Sequence, residues 1–145
     1  MENLYSRLLE LLGKRYNDEK FIQFLSDIGE SPDSEGRLQD QPFLTATSFT
    51  FYKGGFILYL VHGQVVRIYA IIDLMATREG VFTPFQSLPA GITKDDQPPD
   101  IDKKLDLKPF SSKPGGYYAY YLDPYVLKFD FEDGHLTTFE IQWRP

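Results

Sequence analysis

Two histidines, two groups of carboxylates and a run of tyrosines are the residues of this chain whose types and spacing invite chemistry. His62 and His135 each lie beside a glycine, in His62-Gly63 and Gly134-His135, at matching places in two halves of the sequence. Imidazoles can act as general bases or metal ligands. Two histidines without cysteine make a poor zinc set even if carboxylates contribute, so no metal is expected, and exposed turn rings need no catalytic role. Asp95, Asp96, Asp100 and Asp102 form one acidic group; Asp130, Glu132 and Asp133 form another, with Glu140 beyond it. Glycosidase or acid–base work would need two carboxyls of divergent pKa in a concave pocket. These fall on a turn and on the solvated side of a strand, which points to a charged or partner-binding surface.

Tyr117, Tyr118, Tyr120, Tyr121 and Tyr125 crowd one segment. Tyrosine offers large contact area with a polar tip and is enriched at interfaces. Strand alternation puts Tyr117, Ala119 and Tyr121 on one face and Tyr118, Tyr120 and Leu122 on the other, one set in the core. Tyr118 and Tyr120 are taken as partner contacts together with Asp95, Asp96, Asp130, Glu132, Asp133 and Glu140. Stacking of nucleic-acid bases would require a basic groove, which is missing. The pairs Gly54-Gly55 and Gly115-Gly116 lack the spacing and following helix of a dinucleotide or phosphate loop. Nucleophile-elbow, Walker and kinase patterns are absent. No cofactor and no enzymatic activity are expected.

Bulk properties narrow the class further. A chain of 145 residues reads as a single domain, 1–145, able to bury roughly 68–70% of its unfolded surface. The aromatic share of 16%, mostly Phe and Tyr, leans toward strands. Lack of cysteine removes disulfides and thiolate chemistry and fits a reducing compartment. No signal peptide is visible at the N-terminus. The longest apolar run, near Phe56–Val61, is far short of the ~20 residues of a membrane helix. A cytoplasmic protein without membrane contact is expected. Net charge is −6: −2 from residues 1–72 (9 acids, 7 bases) and −4 from 73–145 (12 acids, 8 bases). That disfavours nucleic acid and favours steering toward a basic partner.

The elements that must position these residues come twice. Leu4, Leu8, Leu11 and Leu12 predict a helix over 3–15. Asn17-Asp18 offers an N-cap to a second helix whose face is Phe21, Phe24, Leu25 and Ile28, stopped by Gly29 and Pro32. Residues 30–42 read as a loop. Strands follow at Ser48–Tyr52, Phe56–Val61 and Val65–Ile72, with Gly-bearing hairpins between them. The middle strand, apolar on both faces, predicts a central place. Residues 73–98 read as irregular, with Leu88–Ile92 extended. A short helix after Asp95-Asp96-Gln97-Pro98-Pro99 must end before Pro109. Ser111–Gly116 reads as a loop. A Tyr-rich meander follows, in which Tyr125, Leu127, Phe129 and Phe131 are buried, and Lys128, Asp130, Glu132, Thr138, Glu140 and Gln142 make a wet, mainly acidic side. The expected fold is α+β: a mainly antiparallel sheet of about six strands from two α-β-β-β units, roughly 1–72 and 88–145, with helices packed on one face.

The sequence Leu88-Pro89-Ala90-Gly91-Ile92, the element Lys104-Leu105-Asp106-Leu107-Lys108-Pro109 and the closing Tyr-rich meander resemble small immunity proteins of bacterial toxin–immunity systems, including pyocin-immunity-like groups. Related patterns usually carry Gly where Asp106 stands. The resemblance covers most of residues 20–143. It implies a protein, monomeric or weakly dimeric, that binds and neutralises a cognate toxin domain, commonly a basic nuclease. The competing expectation is a ligand-binding or enzymatic α+β domain with a tyrosine-lined pocket.

Overall fold

A computed structural model of the chain describes residues 4–36, 46–73 and 82–143. Its helices are α1 (Leu4–Leu11), α2 (Glu19–Ile28) and α3 (Pro98–Leu105). Its strands are β1 (Asp33–Gly36), β2 (Ala46–Phe51), β3 (Phe56–Val61), β4 (Gln64–Ile71), β5 (Ser111–Lys113), β6 (Tyr117–Leu122), β7 (Tyr125–Glu132) and β8 (His135–Trp143). All eight form one antiparallel sheet in the order β1-β2-β3-β4-β8-β7-β6-β5. The α+β class is as expected, but the sheet has eight strands rather than six. Each unit is a four-stranded meander, and the two meanders join through their last strands, β4 and β8. No described helix is long and apolar enough to cross a membrane.

The two additional strands are the edges. β1 falls within residues 30–42 and β5 within Ser111–Gly116, both read as loop. Each is short and polar, so neither alternates. Pro32 precedes β1, and Pro109 and Pro114 flank β5, which suits an edge that must not recruit another strand. Residues 37–42 of the first of these stretches, and residues 74–81 of the irregular stretch, lie outside the described residues. β3 is third from the edge rather than central. Its Phe56, Leu58 and Leu60 are buried, while Ile57 and Tyr59 are half-buried and Val61 is 42% exposed.

Helix ends follow local chemistry. Asp18 caps α2 by accepting the Lys20 N–H at 2.8 Å, and Gly29 closes it at φ 68. α1 stops at Leu11, earlier than expected. Gly13, at φ +83, lies against the Trp143 ring, and the Gly13 and Tyr16 N–H groups donate to Val65 and Gly63 of the first meander. α3 has a capping box between Gln97 and Asp100, and Asp106 ends it at φ 56, where a glycine would sit unstrained. The Leu88–Ile92 stretch holds a 3-10 turn, Pro89–Gly91, where extended chain was expected.

Register sorts the sheet into two faces. Phe49, Leu58, Ile68, Ile141, Leu127 and Tyr120 form a row across β2, β3, β4, β8, β7 and β6; Phe51, Phe56, Ala70, Phe139, Phe129 and Tyr118 form the next. The helices pack on this face. Tyr5 of α1 meets Phe139, Phe24 of α2 meets Phe51 and Phe56, and Ile101 of α3 is buried. Cross-strand ring pairs tighten it: Phe51 and Phe56 stack at 4.7 Å, and Phe129 and Phe139 lie 4.8 Å apart. Each such pair adds about 0.5–1.5 kcal/mol beyond its burial.

Two hairpins repeat one turn. His62-Gly63 and Asp133-Gly134 both have positive φ at each residue (53 and 74, 51 and 78), the geometry that matches strand twist. The counterpart of His62 is therefore Asp133, not His135, which already belongs to β8.

Candidate functional site

The second face of the sheet runs without interruption across both meanders. Tyr59, Arg67, Gln142, Val126 and Tyr121 lie side by side on β3, β4, β8, β7 and β6. Ile57, Tyr69, Glu140, Lys128 and Ala119 form the adjoining row. The ring contacts of α1 and α2 with the sheet, and the Tyr120–Asp102 bond to α3, are made on the other face. The cations here are held in place. The Arg67 guanidinium lies 4.3 Å from the centre of the Tyr59 ring, and its Nη1 is 3.4 Å from Glu140 Oε1. Lys128 Nζ lies 5.0 Å from the Tyr117 ring centre and 3.8 Å from Asp130 Oδ1. Gln142 donates to Glu140 at 2.9 Å, and Thr138 donates to Asp130 at 3.0 Å. Cation–ring contacts of this kind contribute about 0.5–1 kcal/mol when exposed.

The residues expected to form a site are divided among three places. Asp130 and Glu140 lie on this open face. Glu140 is only 5% exposed, so the side expected to be wet is closed at its middle. Tyr69 and Lys128 lie directly beside Glu140 on neighbouring strands, and Ile71, Ala119, Val126 and Thr138 of the same face are buried with it. Glu132 and Asp133 project from the exposed β7–β8 turn. Asp95 is exposed nearby, while Asp96 turns inward, accepting the Thr93 N–H at 2.9 Å and Lys104 Nζ at 2.7 Å. Burial would raise the Asp96 pKa, but these bonds outweigh it and hold the carboxyl below its usual value.

Tyr118 and Tyr120 lie on the helix-bearing face and do not reach the open one. The Tyr118 ring meets Phe131 edge-on at 5.7 Å. Tyr120 is buried and donates its hydroxyl to Asp102 of α3. Burial first, then that bond, holds the Tyr120 hydroxyl far above the ordinary tyrosine pKa. On the second face Tyr121 is 52% exposed and Tyr117 is half-buried. Sequence reasoning passed over Tyr59, Arg67 and Tyr69. The alternation of Arg67 with Val66 and Ile68 carries the signal, but the apolar middle strand beside it points to a central place rather than to an exposed face.

A cleft of about 650 Å³ opens where β4 ends and β8 begins. Its lining includes Ile72, Phe85, Leu136, Asp73, Asp95 and His135, and no tyrosine. Asp130, Glu140, Tyr118 and Tyr120 are not part of it. Among the described residues no group of three or more His, Asp or Glu side chains is arranged to hold a metal ion. Neither the face nor the cleft brings Asp95, Asp96, Asp130 and Glu140 together.

Comparison of the chain with protein-family models, with curated proteins and with solved structures finds no match.

Proposed function

We propose that this chain is a protein-binding module that acts as an immunity protein: it captures a cognate bacterial toxin domain, a basic nuclease, on the open face of its sheet and neutralises it. The observation that carries the reading is the continuity of that face across both meanders. Eight strands at ~4.8 Å spacing and ~20 Å length give a face on the order of 700 Å². A standard interface takes ~800 Å² from each partner. Its exposed and half-exposed Tyr59, Tyr69, Tyr121 and Arg67 are the residue types enriched at binding hot spots.

Charge supports a basic partner. Net charge is −6, yet on the open face Arg67 and Lys128 accompany Glu140 and Asp130. Among the described residues Asp95, Glu132 and Asp133 make no ion pair, so the field arises at the end of the sheet beside the face. Such acids speed encounter with a cationic surface, and the face then supplies contact area. The Leu88–Ile92 and Lys104–Pro109 elements support the immunity reading in particular. The protein would act in the cytoplasm, where an incoming nuclease meets its substrate.

The test is co-expression with candidate toxin domains, any encoded by a neighbouring gene first. Rescue of growth and a stable complex on size exclusion are expected. Tyr69→Ala or Arg67→Ala should weaken binding by ~30-fold, the measure of a hot spot, with an unchanged circular dichroism spectrum. Absence of both rescue and complex formation would overturn the assignment. The tyrosine-lined pocket gains nothing from the packing of Tyr118 and Tyr120.

A further inference from the structure

We infer that the end of the sheet opposite the acidic β7–β8 turn is a two-fold contact surface, occupied by a second copy of this chain. The inference goes beyond the toxin reading and does not rest on it. Register brings the last residues of β3, β6 and β8 and the first residues of β4 and β7 to this end: Val61 pairs with Gln64, Arg67 with Gln142, and Tyr125 with both Trp143 and Leu122. Of the six large apolar side chains exposed among the described residues, four gather here: Tyr16, Val61, Tyr121 and Leu122. Each is at least 40% exposed. Such a cluster on a small protein marks an interaction site rather than scattered surface.

The surface is preformed. The link between α1 and α2 extends the sheet at this end. Gly13 N–H donates to the Val65 carbonyl at 2.8 Å, Val65 N–H to the Lys14 carbonyl at 2.9 Å, and Tyr16 N–H to the Gly63 carbonyl at 2.8 Å. The Gln64 side-chain amide donates to the Gly13 carbonyl at 2.8 Å. The Tyr16 ring rests on Gly63 and the Trp143 ring on Gly13, each 3.0 Å from where a Cβ would stand. Tyr121 is tied down as well, its hydroxyl donating to Asp123 at 2.8 Å. Exposed groups already held in place lose little entropy on association.

Charge selects the occupant. Lys14 and Arg15 stand on the β4 side of Trp143 and make no ion pair among the described residues. Asp123 stands on the other side, in the β6–β7 turn, with no cation paired to it among the described residues. Of the acids next along the chain, Asp18 is taken up in capping α2. Glu19 falls with Ile22 and Ser26 on the outer face of that helix. A basic partner would meet Lys14 and Arg15, and an acidic one would meet Asp123. A copy related by a two-fold axis satisfies both: Lys14 and Arg15 of each chain face Asp123 of its mate, with Trp143 and Tyr125 between them. Five strand positions at ~4.8 Å, with the layer of helices behind them, give an end face on the order of 400 Å². That is about half of what each partner gives to a standard interface, so the dimer is weak, with a dissociation constant on the order of 100 μM. Asp95, Glu132 and Asp133 lie at the far end and stay outside the contact.

Sedimentation equilibrium of the full chain tests this. A reversible monomer–dimer equilibrium is expected. Leu122→Asp should weaken it at least ~10-fold, because the two-fold buries two unpaired carboxylates, with an unchanged circular dichroism spectrum. Asp123→Lys alone and the double variant Lys14→Glu/Arg15→Glu alone should each stay monomeric. An equimolar mixture of the two should associate, since opposite charges then face each other at both contacts. The inference fails if the wild type is monomeric at ~1 mM, about ten times the expected constant. It fails equally if Leu122→Asp dimerises as the wild type does, or if the mixture associates no better than its components. A monomeric wild type that sediments with anionic vesicles would assign this end to a lipid surface and overturn the inference. The toxin test is separate: a dimer that captures no toxin overturns the toxin reading alone.

Discussion

Arg67 and Glu140 pair across the seam where the two meanders meet, Nη1 to Oε1 at 3.4 Å, and Glu140 is nearly closed to solvent. The pair ties β4 to β8, the strand pairing through which the two described meanders join. Replacing Arg67 by Met removes the cation from a carboxylate that is already desolvated. The expected cost is about 1–2 kcal/mol, below that of a fully buried pair because Arg67 itself is half-exposed. Arg67→Met with Glu140→Gln should recover part of it, a coupling of about 0.5–3 kcal/mol. Urea midpoints at constant slope measure both quantities. Strict additivity would mean that the pair contributes nothing.

Alkaline pH should unfold the protein earlier than its composition implies. Burial, with a smaller contribution from Tyr125, pushes the Tyr5 hydroxyl up to about 12, and Tyr120 is held higher still. A folded pKa above the unfolded value near 10 means that the native state keeps protons the unfolded state has lost. Stability is therefore full below about pH 10 and falls as pH rises through the folded values. Stability should fall by roughly 1.4 kcal/mol per pH unit for each such group. Denaturant titrations from pH 8 to the alkaline limit should show a shallower fall in Tyr5→Phe and Tyr120→Phe. Slopes equal to wild type would refute the linkage.

Asp96 should behave in the opposite sense. Its pKa is lowered in the folded protein, so its contribution is present above the unfolded value and is lost as pH falls through the folded one. Asp96→Asn should destabilise the protein at neutral pH by about 1 kcal/mol. The gap from wild type should close as pH drops below about 4. A gap independent of pH would mean that the carboxylate's charge plays no part in clamping Thr93 and Lys104.

Gly55 should tolerate no side chain. Its φ is +79, and an added Cβ would come 2.3 Å from the Thr83 carbonyl and 2.9 Å from the Phe85 nitrogen, both backbone atoms that cannot swing aside. Gly55→Ala should cost about 1–3 kcal/mol from conformation, with the clash in addition. Amide exchange at Thr83 and Phe85 should accelerate more than at β7. Uniform acceleration would show that the Thr83–Phe85 segment is not the part released.

Much of the architecture was legible because its signals are local. Gly29 at the end of α2, Pro98 at the start of α3, and the hairpins at His62-Gly63 and Asp133-Gly134 depend on φ preferences that a residue carries anywhere. The alternation of β7 and β8 was equally readable. β1 and β5 were not, because short polar edge strands lack both alternation and strand-forming residues. Nor was the place of β3, since an apolar strand reads the same whether it is buried on both faces or on one.

The sequence by itself determined the α+β class, the two-unit order, the turns and the acidic balance, all properties of residues and their near neighbours. Tertiary structure alone decided that β4 pairs with β8, which tyrosines face inward, and that Glu140 is closed off while Asp95, Glu132 and Asp133 are exposed. These rest on contacts between residues some 70 positions apart, Ile68 with Ile141 and Ala70 with Phe139 among them. Alternation can divide a strand into two faces, but only what packs against each face decides which one is buried.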